Sequence, residues 1–212
     1  MIPRCAGGLL IATLVVACSD SNDPVLPPAP TAITWGAVAF TDQRGTSGGT
    51  AYPDACPDGE AVTGYRGDFH MDGYLGQIQA ICSSLTLSTL GAPVVALTAG
   101  TTLPLRGGPF GVGEWTAVCP TRHVVIGFGG RSGGLIDQLI IRCAPIAISA
   151  PADAYVIALG TPMDLDPVGT DGGSAFDQTD CPAGSMAVVS NIRASDGVVA
   201  FGLGCSEPAL EF

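Results

Sequence analysis

The chain contains no lysine, and its 212 residues include only two histidines, His70 and His123. Without lysine there is no Schiff-base chemistry and no phosphate-loop ammonium. Two histidines in unrelated contexts, no Gly-x-Ser-x-Gly elbow and no histidine pair at metal spacing argue against hydrolase and metalloenzyme readings. Nineteen acidic residues leave a carboxylate pair for glycoside hydrolysis open. The run Asp164-Leu165-Asp166…Asp171 lacks the calcium-loop pattern and reads as an acidic, solvated loop. The expectation is a protein that binds rather than catalyses, without cofactor or metal. Charged residues make up 13% of the chain and the net charge is −11, a poor match for nucleic acid.

What the chain has in excess is glycine, with 30 residues, proline, with 17, and eight cysteines. Six of the cysteines recur at one period. Cys56, Cys119 and Cys181 are 63 and 62 residues apart, each followed by proline, and Cys82, Cys143 and Cys205 are 61 and 62 apart. One unit is therefore made three times, and function belongs where the copies differ. Zinc would want short Cys-x-x-Cys knuckles or nearby histidines. Long spacings favour disulfides in an oxidising compartment, paired Cys56–Cys82, Cys119–Cys143 and Cys181–Cys205.

Residues 1–17 read as a lipoprotein signal peptide. Arg4 precedes the apolar run Leu9–Ala17, which is too short to span a bilayer as a mature helix, and the run ends in Leu14-Val15-Val16-Ala17-Cys18, which resembles a lipobox. An ordinary secretory signal is the alternative. Cys18 would carry the lipid, residues 18–32 would form a proline-rich tether, and the protein would sit in the bacterial cell envelope, touching membrane only through its anchor. The body, 33–212, would be a single domain with repeats at about 33–95, 96–158 and 159–212.

That body reads as all-β, because glycine, proline and the absence of any sustained 3.6-residue apolar period leave little material for helices. Each repeat contains a hairpin signal. Val124–Phe128 runs to Gly133-Gly134, and Leu135–Cys143 returns. The corresponding turns are Asp72-Gly73 and Asp196-Gly197, pairs that suit two-residue turns with positive φ at both positions. Such turns put Val124 opposite Cys143, Thr63 opposite Cys82 and Val188 opposite Cys205, so that one disulfide clamps the base of each hairpin. Each unit opens on a double glycine: Gly48-Gly49, Gly107-Gly108 and Gly172-Gly173.

The segment GGPFGVGEWTAVCPTRHVVIGFGGRSGGLIDQLIIRC (107–143) resembles the last repeat of jacalin-related lectins, and GGSAFDQTDCPAG (172–184) is similar to that family's N-terminal opening. Three disulfide-bearing units also resemble the vitelline membrane outer layer protein, which shares the fold. The resemblance implies a β-prism of three antiparallel Greek-key sheets with pseudo-threefold symmetry; a β-trefoil of such long units fits less well. It also implies a glycan partner held by backbone N–H groups and an aspartate at a Gly-x-x-x-Asp loop. Carried onto this chain, those residues are Gly133, Gly134, Leu135 and Asp137. The first repeat has Gly76 where Asp137 stands, and the third has Val199 or Ala200. The same aspartate could instead accept its own turn's N–H groups. Trp115 either lines a sugar face or packs under a sheet, and Arg131 stands beside the tip, where it could meet a ligand. A structural or protein-interaction module on the same scaffold is the alternative function.

Overall fold

A computed structural model describes residues 27–88, 91–108, 111–151 and 154–212. The strands are β1 (Ala32–Trp35), β2 (Ala39–Phe40), β3 (Arg44–Gly45), β4 (Thr50–Ala55), β5 (Glu60–Asp68), β6 (Gln77–Ser88), β7 (Val94–Thr102), β8 (Arg106–Gly107) and β9 (Glu114–Val118). They continue with β10 (His123–Ser132), β11 (Ile136–Ser149), β12 (Val156–Leu159), β13 (Met163–Asp164), β14 (Val168–Gly169), β15 (Ser174–Asp180), β16 (Met186–Ala194), β17 (Val198–Ser206) and β18 (Pro208–Glu211).

Three antiparallel sheets face one another. Sheet I runs β7-β6-β5-β9 with β8 on β6; sheet II runs β12-β11-β10-β15 with β13 and β14 on β11; sheet III runs β2-β17-β16-β4 with β3 on β17. Each repeat supplies a central hairpin, and the strand just before each first cysteine crosses over to the preceding hairpin. Thus β9 joins sheet I, β15 joins sheet II and β4 closes sheet III from the N-terminal side. β1 and β18 pair in a separate two-stranded ribbon.

The inward faces carry the alternate apolar residues of each strand. Tyr65, Phe128 and Phe201 meet edge to face at the centre, with ring centroids 5.1 and 4.8 Å apart. Burial holds the Tyr65 phenol above its ordinary pKa, hence neutral, and the Ser190 hydroxyl beside it lowers that value only in part. A second apolar layer, including Val124, Ile146 and Met186, lies toward the cysteine end and is packed by Ile33 and Trp35 of β1.

All three disulfides form as the cysteine spacing requires. The expected register is off by one residue, however. Cys82 lies opposite Val62, Cys143 opposite Val125 and Cys205 opposite Ala187. Each first strand contains a bulge at Thr63, Ile126 or Val188 that the turn arithmetic did not contain. The bulges have a use: their carbonyls accept the N–H of Cys119, Cys181 and Cys56, each at 2.7–2.9 Å. Every first cysteine is thereby fastened to one sheet while its sulfur is bonded into the next. The bridges staple neighbouring sheets together as well as closing their own hairpins.

After each Cys-Pro pair the chain makes a turn closed by Glu60 N–H to Pro57 O, His123 N–H to Pro120 O and Ser185 N–H to Pro182 O, each at 2.9–3.0 Å. The third turn position has positive φ in every copy: Gly59 at 83°, Gly184 at 81° and Arg122 at 63°. Arg122 alone bears a Cβ there, in a region that strains L-residues. Arg122→Gly is expected to stabilise the domain by about 0.5–1 kcal/mol, after the extra freedom of glycine in the unfolded chain is counted. Thermal melting of the variant checks this; a fall in melting temperature would contradict it.

Candidate functional site

The hairpin tips of the three sheets converge at the end of the prism opposite β1 and β18. Leu75 N–H donates to Ile136 O, and Val198 N–H donates to Leu75 O, both at 3.0 Å. The middle tip is a three-residue loop, with Ser132 paired to Ile136 and Gly133 N–H bonded to Leu135 O at 3.0 Å. The third tip is built alike, with Ala194 paired to Val198 and Ser195 N–H on Gly197 O at 2.9 Å. The expected two-residue turns are therefore absent, and Gly133, Gly134 and Gly197 do not have positive φ. A three-residue loop relieves them of the geometry that a two-residue turn demands. Gly73 at 86° keeps it, in a longer first tip where His70 N–H bonds Tyr74 O and the two rings stack 4.3 Å apart.

Asp137 occupies a bulge on β11, between the Arg131–Gln138 and Ser132–Ile136 pairs. The segment from β14 to β15 crosses directly over it. Gly169, at φ 105°, approaches so closely that a Cβ would lie 2.1 Å from the Asp137 carbonyl. Thr170 N–H then donates to that carbonyl at 2.8 Å. A Cβ on Gly172 would lie 2.6 Å from Asp137 Oδ1, and one on Gly173, at φ 59°, 2.5 Å from Oδ2. At Gly173 the Ser132 backbone also lies within 2.5 Å of such a Cβ, so no side chain fits there, whereas one at Gly172 would displace the Asp137 carboxylate.

Arg131 fixes this turn from below. Its Nε donates to Gly172 O at 2.8 Å and its terminal nitrogen to Gly173 O at 2.9 Å. The guanidinium is engaged with the loop backbone, so Arg131 supports the site rather than presenting itself to a ligand. Asp137 is half-buried, not fully exposed at the tip, and its Oδ2 is buried with no hydrogen-bond partner. The turn-capping role therefore finds no protein donor at Oδ2, which is shut in between Gly133 and Gly173. Gly133 and Gly134 are exposed, and Leu135 is half-buried beside the Gly197 backbone. Trp115 is 4% exposed and packs in the core, 6.4 Å from Phe69, so it lines no sugar face.

The other two tips resolve which residues correspond. In sheet III the bulge residue is Val199, since Ala200 pairs with Arg193. In sheet I, Asp68 stands where Arg131 and Arg193 stand, and Gly76 takes the bulge position. The double glycine Gly107-Gly108 is not the counterpart of Gly172-Gly173. Gly107 at φ 114° matches Gly45 at 114° and Gly169 at 105°, each pressed against a bulge residue's carbonyl or its neighbour. The run from Gly107 to β9 is longer than its counterparts, and Gly111 packs on Asp68 instead. Three glycine pairs look alike in the sequence because two different structural glycines happen to fall beside a second glycine. Among the described residues no group of three or more His, Cys, Asp or Glu side chains is placed to hold a metal ion.

No family model and no curated protein sequence matches the chain. Solved structures do. The artocarpin–mannotriose complex superposes with a TM-score of 0.54 at 12% identity, covering 80% of this chain and 98% of that one. A mannose-binding lectin from Champedak gives 0.53 at 12% identity, covering 80% and 97%. Frutapin, a lectin from Artocarpus incisa, gives 0.52 at 11% identity, covering 81% and 98%. The fold is thus that of the β-prism lectins.

Proposed function

We propose that the protein binds carbohydrate at its middle tip and performs no catalysis. Asp137 would accept hydrogen bonds from adjacent sugar hydroxyls, with the exposed Gly133-Gly134-Leu135 backbone at its side. The observation that carries this reading is a half-buried aspartate, present at the bulge of only one of the three tips, set between the exposed Gly133-Gly134 loop and the Gly172-Gly173 turn that Arg131 holds. The artocarpin structure holds mannotriose, and the Champedak protein is described as mannose-binding, so mannose-containing glycans are the first ligands to test. A glycan array probed with the body of the protein, with mannotriose and branched N-glycans among its spots, tests the proposal; no saturable binding to any glycan refutes it.

A non-catalytic module that contacts protein instead is the second reading. Met71 and Val112, 69% and 64% exposed at the first tip, are the observation in its favour. It would leave the array blank.

The proposal includes the location. Residues 1–26, with Cys18, lie outside the described part of the chain. Anchoring in the bacterial cell envelope through a lipidated Cys18 rests on the sequence alone. Cys18→Ala is expected to move the protein from the membrane fraction to the soluble one, and unchanged membrane retention in fractionated cells would exclude the anchor.

A further inference from the structure

Two of the three tips carry the same support. In sheet III, Arg193 donates from Nε to Gly48 O at 2.8 Å and from its terminal nitrogen to Gly49 O at 2.9 Å. These are the distances that Arg131 makes to Gly172 and Gly173. The second glycine of each turn is left-handed, φ 67° at Gly49 and 59° at Gly173. A Cβ on Gly49 would lie 2.6 Å from Ala194 O, and one on Gly173 would lie 2.5 Å from Ser132 O. The side chain under each turn also ends in the same place. Val199 Cγ2 would be 2.9 Å from a Gly49 Cβ, as Asp137 Oδ2 would be 2.5 Å from a Gly173 Cβ. Valine branches at Cβ and aspartate one bond further out, and Val199 is the more buried of the two. Both lie against the second glycine of the same backbone turn, so the tips share the cradle and differ in whether an acceptor stands beneath it.

We infer that the arginine-held double-glycine turn is a preformed cradle present at both tips, with Arg131 and Arg193 as positioning residues, and that Val199 alone keeps the third tip silent toward sugar. Aliphatic methyls offer no acceptor, whereas a carboxylate at the same point would take hydroxyl hydrogens. The protein is then monovalent through one residue, on a scaffold built for two sites. The first tip has no such latent site. Asp68 replaces the arginine there, and a Cβ on Gly76 would lie 2.9 Å from His70 N. The inference rests on the sugar reading of the middle tip.

The experiment is titration calorimetry of the natural protein and its variants with mannotriose, or with the glycan that binds best on the array. One site per chain is expected for the natural protein and two for Val199→Asp. Arg193→Gln added to Val199→Asp should return the count to one, because the carboxylate would remain without its held turn. Asp137→Ala combined with Val199→Asp should bind once, through the third tip. Melting curves establish that each variant is folded. Should Val199→Asp fail to fold, Val199→Asn, of the same shape and uncharged, should still give two sites, the second weaker. A folded Val199→Asp or Val199→Asn protein that still binds once overturns the inference and leaves the middle tip intact. No binding by the natural protein to any glycan overturns both.

Discussion

Replacing Cys119 and Cys143 together by serine is expected to destabilise the domain by about 3 kcal/mol, the value of closing a loop of this length on the chain-entropy account. At the size of this chain that corresponds to a loss of roughly 6–12 °C in melting temperature. The bond separates 24 residues in sequence, and it also joins two sheets, because Cys119 N–H is fastened to Thr63 O of sheet I while Cys143 lies in sheet II. The other two bridges repeat the arrangement, so each pair removed singly should lower stability to a similar extent. Thermal or urea unfolding of the double-serine variant is the measurement. A shift under about 2 °C would mean that the bridge restrains a hairpin already held by its ladder.

Asp137→Ala should weaken glycan binding by roughly 30- to 150-fold, the loss of about 2–3 kcal/mol expected for a charge-assisted acceptor of two hydroxyls. Its effect on folding should be small and of either sign. One carboxylate oxygen is shut in without a protein partner, so removing it relieves an unmet acceptor as well as emptying a small volume. Calorimetry and melting on the same protein separate the two roles. If binding is unchanged while the melting temperature falls, Asp137 is a structural acceptor and the site lies elsewhere. Asp137→Asn keeps the shape and one acceptor, and should lie between the natural protein and the alanine variant.

Much of this architecture could be read from the chain because it is covalent or periodic. The cysteine period specified three units and their bridges, and proline after each first cysteine marked the same turn three times. The β class followed from composition, and Asp137 stood out because neither other copy carries a carboxylate there. What could not be read arises between units. The crossing of β4, β9 and β15 to the preceding hairpin leaves no mark, since a strand's alternation is the same whichever neighbour it joins. Bulges at Thr63, Ile126 and Val188 add one residue to one strand and shift the register without altering the pattern. Arg131 and Gly172 are 41 residues apart, so the bond between them has no local signature. The spacing of Arg193 from Gly48, 145 residues, is less legible still. Aligning the arginines of the second and third repeats was the one signal available, and it becomes meaningful only once the partner carbonyls are known.

The ribbon of β1 and β18 and the composition of sheet III make one face of the prism a seam. Ala32 is paired with Glu211 and Trp35 with Pro208, and sheet III is assembled from the first and last segments of the chain. Elsewhere the sheets are closed by segments that continue in both directions. The strands along this seam are short, four residues in β1 and β18 and two in β2 and β3, so native-state hydrogen exchange should be fastest there. The cradle of Asp137, Arg131 and the Gly172–Gly173 turn is built from residues 131–173 on sheet II, and only the loop beside it touches the seam, where Thr46 Oγ1 donates to Gly134 O at 3.4 Å. Local opening along the seam would release Gly48 and Gly49 from Arg193 and erode the third tip, while the middle one would lose only its bond from Thr46.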